Sequence, residues 1–166
     1  MMRSAVIDSS SLINLTHLQL APKMSLYFGR IYVPRRVQEE VNKKSKFRHR
    51  LNRLYRTGLF QKCACADETR VQLLLAGKLG GGEAEGLVQA QEKAVAFFIA
   101  DEKLARDQAA RQGLKSVGTV RLLARLSLEG HAEDTPLLVA RLRKDLKFRI
   151  EDALVDGAIA DAVIPI

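Results

Sequence analysis

The stretch "LGGGEAEGLVQAQEKAVAFFIAD", Leu79 to Asp101, contains a complete passage from turn to helix to strand and ends on an acid. Its three glycines lead into a segment with the length and composition of a helix, Glu83 to Ala94. "VAFFIAD" (Val95–Asp101) is then a short apolar run of strand length. A glycine-rich turn before a helix commonly cradles phosphate, because free backbone N–H groups there attract anions. This one has Glu83 and Glu85 near the helix start and no Lys, Ser or Thr where a phosphate-binding loop needs one. The positive end of the helix dipole keeps such a carboxylate ionised. A metal ligand suits that place better than a phosphate does.

The same alternation extends to both ends of the chain. "SAVID" (Ser4–Asp8) reads as a buried strand ending in an acid, and "SSSLINLTHLQL" (Ser9–Leu20) as a helix with serines placed to cap it. "RIYVP" is a second strand, with Pro34 as the first residue of the helix "RRVQEEVNKK" (Arg35–Lys44). "LFQKCACA" (Leu59–Ala66) reads as a third strand, and "DETRVQLLLAGKL" as a helix that Asp67 can cap. After Asp101 come the helix "EKLARDQAARQG", closed by Gly113, the strand "LKSVGT" and the helix "VRLLARLSLEG". From about residue 134 the tail reads as two amphipathic helices, an extension of one domain spanning residues 1–166. Its apolar stripe, Leu137, Leu138, Leu142 and Leu146, suits core packing, or failing that a second subunit or a partner. Strands alternating with helices predict an α/β fold with a parallel sheet covered on both faces. In such sheets ligands bind beyond the carboxyl ends of the strands, where Asp8 and Asp101 both fall.

Composition narrows the chemistry. A chain of 166 residues can bury a sizeable core as one domain. No apolar run is long enough for a membrane span, and the N-terminus lacks the features of a signal peptide, so cytoplasm is expected. Cys63 and Cys65 are two apart on an extended segment, too far for an easy disulfide, and read as small buried thiols. His17, His49 and His131 are scattered singly, so no zinc pattern exists. The net charge of +8, from 27 Lys and Arg against 19 Asp and Glu, suits a polyanionic partner, nucleic acid first. "KKSKFRHRLNRLYR" (Lys43–Arg56) is the densest basic segment, helical or loop-like. Arg48, Arg50 and Arg53 within it are candidates for gripping phosphates.

Four acidic points then gather on one rim: Asp8, Asp101, Glu39 or Glu40, and Glu83 or Glu85. Two like charges about 4 Å apart repel by about 4 kcal/mol at an effective dielectric near 20. A divalent cation relieves that repulsion, and an all-oxygen ligand set favours Mg²⁺ or Mn²⁺ over zinc. Residues two apart on a helix diverge by roughly 200°, so only one of Glu83 and Glu85 can face such an ion.

"AVIDSSSLINL", "VPRRVQEEV", "LGGGEAEGLVQA" and "FFIADEKLARDQAARQGLKSVGTVRLLARL" together resemble the PIN-domain superfamily. They look closest to its VapC-like branch, with a Gly-Glu-x-Glu third motif and a Gly-Thr after the final strand. The resemblance implies a three-layer α/β/α sandwich and a metal-dependent endoribonuclease that leaves 5′-phosphate and 3′-hydroxyl ends. It also implies a toxin-like role with a small antitoxin protein as partner, and a homodimer. Carried across, the family's acidic set is Asp8, Glu40 (Glu39 less well), Glu83 or Glu85, and Asp101. Ser10 and Arg106 match positions that contact substrate phosphate or support the site, and Asn14 matches a polar position near the first aspartate. The alternative is a catalytically weak PIN-like module that binds RNA or a partner. A dinucleotide-binding protein is disfavoured, because the loop after the first strand lacks the glycine fingerprint.

Overall fold

In the computed structural model, which describes residues 2–166, strand β1 (Arg3–Ile7) runs through the middle of the sheet. Ala5 and Ile7 point into one core and Val6 into another, and all three are wholly buried. This is the period-2 alternation of a strand, apolar on both sides because helices cover both. Strands β2 (Phe28–Pro34) and β4 (Phe97–Ile99) flank β1, with β3 (Phe60–Cys63) and β5 (Lys115–Val117) at the edges. The order is β3-β2-β1-β4-β5 and every pairing is parallel.

Helices α1 (Ser9–His17), α3 (Ser45–Arg56), α7 (Thr119–Leu128) and α8 (Thr135–Leu146) contribute to the core on one face of the sheet. On the other face lie α4 (Glu68–Ala76), α5 (Gly81–Glu92) and α6 (Lys103–Arg111). The result is a three-layer α/β/α sandwich. Helix α2 (Arg35–Asn42) touches both α1 and α5, and α9 (Asp152–Asp161) packs on α7 through Val155 and Val120.

The chain runs outward from β1 to β3 and then returns to β4, so the winding reverses between β1 and β4. A crevice opens at such a reversal. Asp8 and Asp101 follow these two neighbouring strands, whose register pairs Ile7 with Ile99. Two glycines bring the acid-bearing helix close. A Cβ on Gly86 would lie 2.8 Å from the Phe98 ring, so α5 can press on β4 only with glycine there. A Cβ on Gly82 would lie 3.2 Å from Val37 and 3.3 Å from Glu40 Oε1, so the start of α5 meets α2 closely too.

Several expected boundaries shift for local reasons. Helix α5 begins at Gly81 rather than Glu83, which puts Glu83 in its first turn. Pro34 is not the first helical residue: it ends β2 opposite Cys63 and caps α2. Strand β3 stops at Cys63, opposite Pro34 where β2 ends, and beyond it the Glu92 carboxylate accepts from the backbone N–H groups of Ala66 and Asp67. Asp8, not a serine, caps α1 by accepting from Ser11 N at 2.8 Å. Asp67 caps α4 by accepting from Arg70 N. The basic segment is mostly helix α3, with Phe47, Leu51 and Leu54 buried. In the tail stripe Leu138 and Leu142 are buried, Leu146 is half-buried and Leu137 is 59% exposed. Cys63 and Cys65 are free and half-buried rather than buried, and desolvation pushes both thiols up to about 12. Among the described residues no helix is long and apolar enough to cross a membrane.

Candidate active site

Asp8 takes its place from the first turn of α1. Its Oδ1 accepts from Ser11 N and its Oδ2 from Asp101 N at 3.2 Å, which locks the carboxylate between the two strand ends. Only 1% of the residue is exposed, and among the described residues it forms no ion pair. Burial first, and then the charge of Asp101, push Asp8 from its ordinary 3.8 up to about 7.

Asp101 is held from the opposite side. Thr119, at the start of α7, donates its backbone N–H to Oδ1 and its hydroxyl to Oδ2, both at 2.7 Å. Asn14 Nδ2 donates to Oδ2 at 3.3 Å, and Ser10 Oγ stands 3.5 Å from the same oxygen. Arg106 does not pair with this carboxylate. Its Nη1 donates to the backbone carbonyl of Asp101 at 2.9 Å, fixing the turn that carries the acid.

Glu40 faces the same crevice from α2, and its carboxylate accepts from Ser9 Oγ. Glu39 points outward, mostly exposed, with Arg35 Nε 3.8 Å away. Glu83 completes the ring from the start of α5, and burial, with Glu40 and Glu102 nearby, raises its carboxyl above the usual range. Together Asp8, Glu40, Glu83, Asp101 and Glu102 border a cavity of about 450 Å³, with Ser10 and Asn14 on the wall.

Glu85 is not among them. It is 1% exposed and turned away from the cavity, with Arg36 Nε 3.2 Å from its Oε2 and Arg36 N donating to its Oε1 at 3.3 Å. The same guanidinium reaches Glu68 at 2.7 Å. The divergence of residues two apart on a helix produces this split.

The basic helix stands off this cavity, which Arg48, Arg50 and Arg53 do not border. Arg48 donates to the Asn42 carbonyl at 3.2 Å, while Arg50 and Arg53 line a separate hollow of about 350 Å³ beside Gln19. Cations reach the acidic cavity from Lys44, just ahead of that helix, and from Lys147 and Arg149. The last two belong to the connection between α8 and α9, which sequence reasoning missed, since nothing in "LKFRI" signals a return to the strand ends. Ser9, which holds Glu40, was missed as well, hidden in a run of three serines whose residue types suggest only capping.

The donor set is hard and anionic, with no imidazole or thiol on the cavity wall. Among the described residues no three His, Cys, Asp or Glu side chains are drawn together into a ready-made metal cluster. The fit to a cation rests on the chemistry of the donors and on Asp8, a buried acid with an acidic neighbour and no counter-charge.

No curated protein matches the chain. A family model described as a PIN domain matches residues 4–163, a span that includes β1 from Ser4 onward, the other four strands whole and each of the cavity's acids. The chain belongs to the PIN-domain family.

Proposed function

We propose that this protein is a divalent-metal-dependent endoribonuclease, with Asp8, Glu40, Glu83 and Asp101 as the ligands of Mg²⁺ or Mn²⁺. The observation that carries the reading is Asp8, buried without a counter-ion beside Asp101 at the strand reversal of a PIN fold. PIN domains are generally nucleases, and oxygen-only donors favour hard divalent ions. Glu85 is outside the proposed set, because its carboxylate is taken by Arg36. When bound, such an ion polarises a phosphodiester and lowers the pKa of a water. Around it, Thr119 and Asn14 orient Asp101, Ser9 orients Glu40, and Arg106 fixes the backbone of Asp101. Ser10, exposed at the cavity wall, is in position to donate to a substrate phosphate. RNA as substrate, a VapC-like toxin role with a small antitoxin, a homodimer and a cytoplasmic location extend the resemblance, and the charge of +8 agrees with a nucleic-acid substrate.

The test is cleavage of labelled RNAs and single-stranded DNAs by purified protein in Mn²⁺, Mg²⁺ or EDTA, beside Asp8→Asn and Asp101→Asn. Metal-dependent RNA cleavage lost in both variants is expected. Cleavage that survives both substitutions contradicts the site. The separation of the acids favours one second reading, a catalytically weak RNA-binding module. RNA binding with no metal-dependent turnover selects it.

A further inference from the structure

Lys147 and Arg149 border a cavity ringed by five carboxylates, yet among the described residues neither takes part in an ion pair. Cations placed only to neutralise those acids would close on them. These two stay exposed, with their nitrogens free for another anion. The segment that bears them is anchored. Lys147 ends α8 in the left-handed region (φ 55°, ψ 33°), and Phe148 N donates to the Leu142 carbonyl at 3.3 Å. Half-buried Phe148 packs against both the main core and the small cluster of Val120, Val139 and Val155. The strap is thus fixed at its aromatic, with a cation on each side.

Beyond the strap lies a second cavity of about 510 Å³, which shares Asp101, Phe148 and Arg149 with the acidic one. Arg121 stands on its wall. One guanidinium nitrogen donates to the Ile164 carbonyl, while Nη1 is buried without a partner. Arg121 shares that wall with Asp161, so the exposed positive charge between the two cavities is that of Arg149, with Lys147 beside it on the strap. The α3 arginines 48, 50 and 53 border neither cavity.

We propose that the α8–α9 connection is a backbone-phosphate clamp for single-stranded RNA. Lys147 and Arg149 take the phosphates that flank the bond held at the acids. The proposal rests on the nuclease reading of the acidic cavity. Neutralisation of strand phosphates makes binding salt-dependent, with about 0.7 in the slope of log affinity against log salt per contact on a single strand.

The experiment uses the full chain and a fluorescently labelled single-stranded RNA, by anisotropy in EDTA across a salt series and by cleavage kinetics in Mn²⁺. Lys147→Gly removes the cation at a backbone position that glycine prefers, so its Tm should rise. The pair Lys147→Gly/Arg149→Ala should bind RNA roughly tenfold more weakly at 0.1 M salt, and its slope should fall by about 1.4. In cleavage the change should appear in KM more than in kcat. A purely structural role for the strap predicts the higher Tm of Lys147→Gly with unchanged affinity and slope. That result, with wild-type cleavage intact, overturns the clamp and leaves the nuclease reading standing. Wild type that binds but does not cleave counts against the nuclease reading, and the affinity and slope of the pair then decide the clamp alone. Wild type without affinity for RNA overturns both.

Discussion

On one side of α5, Glu83 faces Asp8, Glu40 and Asp101 across a cavity, and none of the four has an ion-pair partner among the described residues. On the other side, Glu85 is sealed from solvent and its carboxylate is held by Arg36, which also reaches Glu68. Both clusters grow from the same Gly-Glu-x-Glu run. The paired cluster ties α5 to α2 and α4, since its arginine holds acids from two helices while its backbone belongs to a third. The unpaired cluster is fixed instead by neutral donors, namely backbone N–H groups, hydroxyls and one amide. Such donors orient carboxylates without cancelling their charge. Repulsion left unrelieved in this way is an arrangement for a cation from outside.

Substitutions on the two sides should therefore fail in opposite ways. On the cavity side, Asp8→Asn or Asp101→Asn should lower metal-dependent cleavage by more than about a hundredfold, beyond the usual cost of losing a residue that merely supports a ligand. The fold should survive, as seen by circular dichroism and an unchanged denaturant slope. On the paired side, Arg36→Ala leaves Glu85 buried and unneutralised, and should cost about 3 kcal/mol of stability in urea unfolding. Replacing both, as Arg36→Met/Glu85→Leu, should recover most of that loss. If Arg36→Ala unfolds no more easily than wild type, the distinction between the clusters collapses.

Gly86→Ala probes the packing that both clusters share. The added methyl meets the Phe98 ring, so a loss of about 1–3 kcal/mol in the same unfolding experiment is expected. The smallest effect concerns pH. Asp8 is raised in the folded protein from 3.8 to about 7, so the folded state holds this proton more tightly than the unfolded chain does. Its contribution to stability is complete below about pH 3.8 and is lost as the pH climbs through about 7. In EDTA, wild type should therefore lose more Tm than Asp8→Asn between pH 5 and pH 8, by a few degrees. Parallel curves for the two proteins would mean that Asp8 carries no such strain.

Much of the fold was legible because its signals are local. Short apolar runs ending in acids, alternating with helix-length segments, announce a parallel sheet, and Asp8 and Asp101 are visible as strand-end acids. Which glutamate faces the cavity was not legible. Glu83 and Glu85 differ only in rotation about α5, and the partner that settles the rotation, Arg36, lies 49 positions away. The basic run from Lys43 to Arg56 draws the eye as a phosphate grip, yet Arg50 and Arg53 border another hollow, and it is Lys44, ahead of the helix, that borders the acids. The two other cations that border the acids, Lys147 and Arg149, sit in a stretch without a motif, brought back by Phe148 seating itself between two cores. Tertiary packing of this kind leaves no periodic trace in sequence.

Titration of the metal-free protein with Mn²⁺, followed by calorimetry for wild type, Asp8→Asn, Glu83→Gln and Glu85→Gln, tests the central claim most directly. Saturable binding should appear in wild type, vanish in Asp8→Asn, weaken in Glu83→Gln, and persist in Glu85→Gln, whose Tm alone should fall. Wild-type affinity in Asp8→Asn, or loss of binding in Glu85→Gln with Glu83→Gln unaffected, would contradict the division of the two acidic clusters.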